Sequence, residues 1–272
     1  MAVLVRFEAF PEWFTKTVPG YRGLIPDTLL TRESWSRILI DGMPAGYSQT
    51  SLAASETDDE SMLLQINNRV HLRILMAGQI HRILARTDVS IDREYRLAAF
   101  DAAIVSGMMN VHAQGRRLPN HQIEVTTTAG AATLVNVITI PPDALLYSPV
   151  QEMALRDMRP GSQMTMKTIN PLTMDITSVR IDAVARETIQ IGDRAVKATR
   201  LVSSWQGLSV QSWVDNDGLI LRQETPLGWV IESCSSEEAM AALSESQPAP
   251  SLVNNPAGGT VLNMMFGKGL QP

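Results

Sequence analysis

From Leu64 to Met76 the side chains alternate, with Leu64, Ile66, Val70, Leu72, Ile74 and Met76 on one parity and Gln65, Asn67, Arg69, His71 and Arg73 on the other. An extended strand sends alternate residues to opposite faces, whereas a helix would scatter these two sets around its whole circumference. Asn68 interrupts the apolar set and Leu75 the polar one. After Ala77-Gly78 the pattern resumes, with Ile83, Ala85, Thr87, Val89 and Ile91 on one face and Arg82, Arg86 and Asp88 on the other. The two runs predict a long two-stranded ribbon. A connection of two or four residues sets Arg73 opposite Arg82 and Arg69 opposite Arg86, with His71 between them. A connection of three would place apolar positions against polar ones, and face matching argues against it.

The same grammar recurs. Asp215-Asn216-Asp217-Gly218 lies between Leu208 to Val214 and Leu219 to Thr225, and a type I turn closed by a left-handed glycine reverses the chain there. Trp35 to Ile40 and Tyr47 to Leu52 flank Asp41 to Gly46 as a second hairpin-like unit, followed by an acidic loop from Glu56 to Glu60. Further strands are expected around Arg96 to Val105, Ile123 to Thr128, Thr133 to Ile140, Gln163 to Thr168, Ile176 to Ala185, Val196 to Val202 and Trp229 to Cys234. Two helices have start signals. Ser148-Pro149-Val150-Gln151 offers an N-cap, a first-turn proline and a capping glutamine ahead of a stop at Arg159-Pro160-Gly161, and Ser235-Ser236-Glu237-Glu238 opens another running to about Leu243. The fold class expected is mainly β, a strongly bent antiparallel sheet or half-barrel wrapped around one or two short helices. Residues 1–33, punctuated by Pro11, Pro19-Gly20, Gly23 and Pro26, read as an irregular aromatic arm, residues 34–243 as the β-rich domain and residues 244–272 as a flexible tail.

Composition removes several functions. A net charge of −5 gives no general attraction to a phosphate backbone, so a nucleic-acid partner is not expected. One cysteine excludes an internal disulfide and a cysteine-only metal cluster, and the four histidines show no paired ligand spacing, so no metal site and no cofactor are expected. No apolar run reaches the roughly 18 residues that span a bilayer as a helix. The start is unusual, since Phe7, Phe10 and Phe14 join Val3 at near-helical spacing with Trp13 beside them. This pattern suits a membrane-proximal or partner-docking helix, or equally a helix packed on the body.

Three clusters are candidates for chemistry. Arg69, His71, Arg73, Arg82 and Arg86 would form an anion-binding face for a lipid headgroup, a glycan phosphate or an acidic partner, unless Asp88, Asp92 or Glu94 neutralises them. The opposite face supplies Ile66, Val70, Leu72, Ile74 and Ile83, which line either a core covered by the helix at 148–158 or an apolar groove for an acyl chain. Of the 14 methionines, Met108, Met109, Met153, Met158, Met164, Met166 and Met174 would serve the groove as well as the core. Cys234, at a strand end beside a helix start, reads as a small buried hydrophobe more readily than as a nucleophile, because no histidine lies near it in sequence. The segment Val261 to Phe266 is the one sticky element of the tail.

Trp35 to Ser48, Asp88 to Phe100 and Ser212 to Val230 together resemble the β-rich module found beside or fused to bacterial transglutaminase-like proteins. They are also similar to exported β-domains whose curved sheet is like that of lipoprotein carriers. The resemblance covers about residues 34–243 and implies an extracytoplasmic, non-catalytic module. Transglutaminase activity is not implied, since no matching His and Asp arrangement follows Cys234. The expected function is therefore a cell-envelope accessory or binding module, periplasmic or otherwise extracytoplasmic, with a lipid, an envelope glycan or a transglutaminase-like protein as partner. A structural subunit of a membrane complex, docked through the aromatic start and residues 261–266, is the second reading, and an unrecognised hydrolase the third.

Overall fold

The structure, a computed structural model, describes residues 15–25, 31–54, 62–76, 78–107, 110–146, 151–156, 158–226, 228–244 and 248–251. The alternating segments become strands of one curved, unclosed sheet, as expected of a half-barrel. One meander runs through β2 (Arg32–Ile40), β3 (Met43–Ala54), β4 (Met62–Met76), β5 (Gln79–Asp92), β6 (Leu97–Ser106), β7 (Asn110–Arg117), β8 (Gln122–Ala129) and β9 (Ala132–Thr139). A second runs through β11 (Gln163–Ile169), β12 (Ile176–Ile191), β13 (Arg194–Trp205), β14 (Leu208–Val214), β15 (Ile220–Glu224) and β16 (Trp229–Cys234). The meanders join where β16 pairs antiparallel with β2, Cys234 opposite Trp35. Two short strands, β1 (Thr15–Thr17) and β10 (Ala144–Leu146), both run parallel to β11.

The ribbon has the register that face matching requires. Met76 pairs with Gln79, so the connection is two residues long and Arg73 faces Arg82 while Arg69 faces Arg86. At the Asp215 turn, the Asp215 carboxylate accepts from the Asp217 and Leu219 amides at 2.9 Å, and Gly218 takes the positive φ of 81° that closes the turn. The second hairpin turns tightly at Asp41-Gly42, so β3 begins at Met43, earlier than the sequence suggested. A bulge between Ile38 and Leu39 absorbs Pro44 and Ala45.

The inner face of the sheet carries two apolar clusters. The larger joins Leu64, Ile66, Val89, Ile91 and Phe100 to Leu201 and Val214, and its centre is filled by Tyr21, Leu24, Ile25, Leu145 and Leu146. The smaller packs Leu72, Ile74 and Ile83 with Ile38, Ile40, Ile104 and Trp229, with Val70 partly buried against it. Between them lies a polar belt in which the Asn68 amide donates to Ser48 Oγ at 3.1 Å and Thr50 Oγ1 at 2.9 Å. These bonds explain how an amide is tolerated among the apolar positions of β4.

The interior is thus filled differently from expectation. Helix α1 comprises four residues, Gln151–Ala154, and with Leu155 it reaches the larger cluster only, so it does not cover Leu72, Ile74 or Ile83. Ser148, Pro149 and Val150 lie outside the described residues. Those three are covered instead by Ile38, Ile40, Ile104 and Trp229 of neighbouring strands, while the larger cluster is filled by the segment read as an irregular arm, where Val18, Tyr21, Leu24 and Ile25 are buried. Tyr21 accepts a hydrogen bond from the Leu146 amide at 2.9 Å, and burial raises its hydroxyl pKa. Met164 and Met166 are buried core, with Met153, Met158 and Met174 packed against it, while Met108 and Met109 lie outside the described residues. Helix α2 (Ser236–Ala241) starts where expected and is closed by a capping box, Ser235 and Glu238 each accepting from the other's backbone amide. Past it, the Leu75 amide donates to the Pro250 carbonyl at 2.8 Å, so part of the segment read as a loose tail holds the edge of β4 beyond its last pairing with β3.

Candidate functional site

Because β2 to β5 are neighbours, their outward residues form rows running across strands. One row is Glu232, Arg37, Tyr47, His71 and Leu84, and the next is Cys234, Trp35, Gln49, Arg69 and Arg86. Tyr47 stacks on the His71 imidazole with ring centroids 4.8 Å apart and planes 11° from parallel, and Trp35 meets Tyr47 at 5.5 Å in a tilted contact. All three rings are half-buried, so each keeps an accessible edge or face. Sequence reading found His71 but neither aromatic neighbour.

The five basic candidates share the outer face but differ in their surroundings. Arg86 is held by Asp101 at 2.6 Å and by Asp88 at 3.1 Å. Arg73 is buried and donates to the Ser244 carbonyl at 2.6 Å. Arg69 and Arg82 are exposed. Asp88 is thus one neutralising acid, whereas Asp92 and Glu94 both pair with Arg96. Asp101, which the sequence did not single out, is the main acid on this face. Burial opposes its charge, but hydrogen bonds from Gln114, His112 and Arg86 prevail and bring its pKa down to about 2. His71 has a lowered pKa, chiefly from desolvation and then from the Arg69 charge, so its neutral form is favoured. A bound anion between Arg69 and His71 would offset the Arg69 charge and favour the protonated imidazole.

Along the first row the sheet carries an ion triad. Glu232, only 5% exposed in its side chain, accepts from Arg37 at 2.7 Å and from Arg222 at 2.5 Å. The triad adjoins the aromatic row, since Arg37 pairs directly opposite Tyr47. The tip of the β12–β13 hairpin, Ile191 to Arg194, comes over this part of the sheet and with Arg37, Cys234 and Glu238 encloses a recess of about 220 Å³. Desolvation, followed by the nearby Glu238 charge, raises the Cys234 pKa, so the thiol stays protonated and is a poor nucleophile there. A second recess, of about 160 Å³, lies between Lys16 to Leu24 and Met153 to Arg156. Both are smaller than the roughly 300 Å³ at which clefts begin to bury small ligands.

Ile66, Leu72, Ile74 and Ile83 are buried in the two cores and Val70 packs against the smaller one. Phe7, Phe10, Trp13 and Phe14, and the segment 261–266, lie outside the described residues. Among the described residues no three His, Cys, Asp or Glu side chains are grouped to hold a metal ion, and no helix is long and apolar enough to cross a membrane.

No protein-family model and no curated protein matches the chain. Among solved structures it is similar to a β-barrel-like protein of domain of unknown function DUF1849 from Brucella abortus, with a TM-score of 0.48 and 8% identity over 76% of this chain and 97% of that one. It is also similar to a DUF1089 family protein from Pseudomonas aeruginosa, with a TM-score of 0.32 and 12% identity over 63% of this chain and 87% of that one.

Proposed function

We propose that this protein is a non-catalytic binding or accessory module of the cell envelope that presents its outer sheet face to an anionic ligand, a lipid headgroup or an acidic glycan. The observation that carries this reading is the ring row Trp35–Tyr47–His71 with Arg69 alongside. Aromatic faces and edges take up the apolar flats of sugar rings or acyl-glycerol backbones, while a guanidinium gives paired hydrogen bonds to phosphate or carboxylate. The filled interior favours a surface ligand over an enclosed acyl chain. A transglutaminase-like neighbour displaying an acidic patch would engage the same face.

The test compares Arg69→Gln and Tyr47→Ala with Arg86→Gln on liposomes containing phosphatidylglycerol and on immobilised phosphorylated glycan. The first two variants should lose retention at least tenfold, and R86Q should keep most of it because its charge is already spent on two aspartates. Equal loss in all three, or no retention of the wild type on either surface, rejects the proposal.

A further inference from the structure

The sheet ends in very different ways. At one side β11 is covered by two three-residue strands, β1 and β10. At the other lies β9, eight residues long, with no described strand beyond it. Its sequence, Ala-Thr-Leu-Val-Asn-Val-Ile-Thr, contains no charge and no proline. Leu134, Val135 and Val137 are 59%, 56% and 52% exposed. Edge strands in proteins that remain monomeric usually carry a lysine, a proline or a bulge that prevents pairing, and β9 has none of these.

The register shows which groups face outward. Ala129 pairs with Ala132 across a two-residue turn, and residues flanking such a turn exchange hydrogen bonds. The alternation continues to Ile140, whose amide donates to the His121 carbonyl at 2.9 Å. Leu134, Asn136 and Ile138 therefore bond back to β8, while Thr133, Val135, Val137 and Thr139 direct their amides and carbonyls away from the sheet.

We infer that β9 pairs antiparallel with β9 of a second copy of this chain, about a two-fold axis at Asn136. The order Thr-x-Val-x-Val-x-Thr is a palindrome, and it reads the same on the two strands of such a pair. Val135 then faces the partner's Val137, Thr133 the partner's Thr139, Leu134 the partner's Ile138, and Asn136 its own counterpart. Every cross-strand pair is like with like, which suits apolar, hydroxyl and amide side chains and sets no charge against another. Moving the axis to Val135 would put Asn136 against Leu134 and Thr133 against Val137, so the side chains select one register. The four outward residues supply a continuous ladder. This ladder alone buries less than a standard permanent interface, so the dimer should dissociate on dilution.

Sedimentation velocity of the full chain across a dilution series should show reversible dimerisation. Val135→Lys places a lysine beside the partner's Val137 on an exposed strand, and should shift the dissociation constant up by at least tenfold with unchanged thermal unfolding. Adding Val137→Glu should restore the dimer, because each introduced ammonium then faces an introduced carboxylate of the partner. In a Cys234→Ser background, Asn136→Cys should form an intermolecular disulfide under mild oxidation and Thr133→Cys should not, since only residue 136 meets itself across the axis. A wild type that stays monomeric at every concentration, a V135K variant that dimerises like the wild type, a V135K/V137E pair that stays monomeric, or equal cross-linking at 133 and 136 overturns the assignment.

Discussion

Replacing Gly46 with alanine tests whether the pairing that creates the aromatic row is as tight as it looks. A Cβ at Gly46 would lie 1.8 Å from the His71 carbonyl oxygen, 2.8 Å from its carbon and 2.9 Å from the Leu72 Cα. All three are backbone atoms of β4, so no side chain can turn aside. Ordinary contact requires β3 and β4 to separate locally by about 1.5 Å, which takes neighbouring N–H···O bonds of about 2.9 Å beyond useful range. Losing one or two ladder bonds at about 1 kcal/mol each, with overpacking strain of about 1–3 kcal/mol, gives a cost of about 2–5 kcal/mol. For a chain of this size that corresponds to a fall of roughly 4–20 °C in Tm. Gly42→Ala is the comparison, because nothing lies within 4 Å of its Cβ and only its φ of 77° opposes a side chain, a cost of about 1 kcal/mol. Urea unfolding of both variants separates steric from conformational cost. If G46A lies within 1 kcal/mol of G42A, the close approach of β3 to β4 and the ring stack built on it are wrong.

Two further outcomes follow from the charges on the outer face. Glu232→Leu leaves Arg37 and Arg222 without their shared acid and should cost about 2–3 kcal/mol in urea, at the low end for a broken buried pair because both arginines reach solvent; converting all three residues to Leu and Met should recover most of that loss. A triple variant as unstable as E232L would show that the triad does not act through charge. Asp101→Asn should reduce stability by about 1 kcal/mol above pH 4, after allowance for solvent screening. Because the folded carboxyl titrates near pH 2 and the unfolded one near 4, that contribution is present above pH 4 and lost as pH falls towards 2. The wild-type and D101N unfolding curves should therefore converge in that window, and a constant gap down to pH 2 would contradict it.

The ribbon, its register and the Asp215 hairpin were legible because period two leaves only one arrangement in which apolar faces match. The ring row was not legible, although Trp35, Tyr47 and His71 are all plain in the sequence. Counting back from the Asp41-Gly42 turn without interruption sets Tyr47 opposite Ser36, on the inner face. The bulge between Ile38 and Leu39 shifts the register by one residue and brings Tyr47 opposite Arg37, facing outward. The bulge between Trp213 and Val214 likewise sets Arg222 opposite Trp213, within reach of Glu232. Strand β7 was missed for another reason: its inward positions include Ala113 and Gly115, and the Phe100 ring of β6 occupies the place of a side chain at Gly115. The arm was misread because Pro19-Gly20 hides the apolar set Val18, Tyr21, Leu24 and Ile25, which tertiary packing then uses as filler.

On the proposed reading, that filler decides which face a ligand would use. A half-barrel with an empty trough would offer its inner face, and Ile66, Leu72, Ile74 and Ile83 would line the site. Here the inner face is occupied at one end by Tyr21, Leu24 and Leu145, at the other by Trp229 and Ile40, and the belt between them satisfies its own amide through Ser48 and Thr50. Admitting an acyl chain would mean expelling buried side chains, each worth about 1.5–3 kcal/mol when removed from water. On the outer face, by contrast, the main obstacle is solvation of Arg69 and His71, and an anion replaces that water with charge-assisted bonds. Arg73 marks the boundary of this surface, since the chain after α2 already covers it. On the proposed reading, recognition would therefore fall on the part of the face between Trp35 and Arg69, where the rings and the exposed guanidinium lie on neighbouring rows.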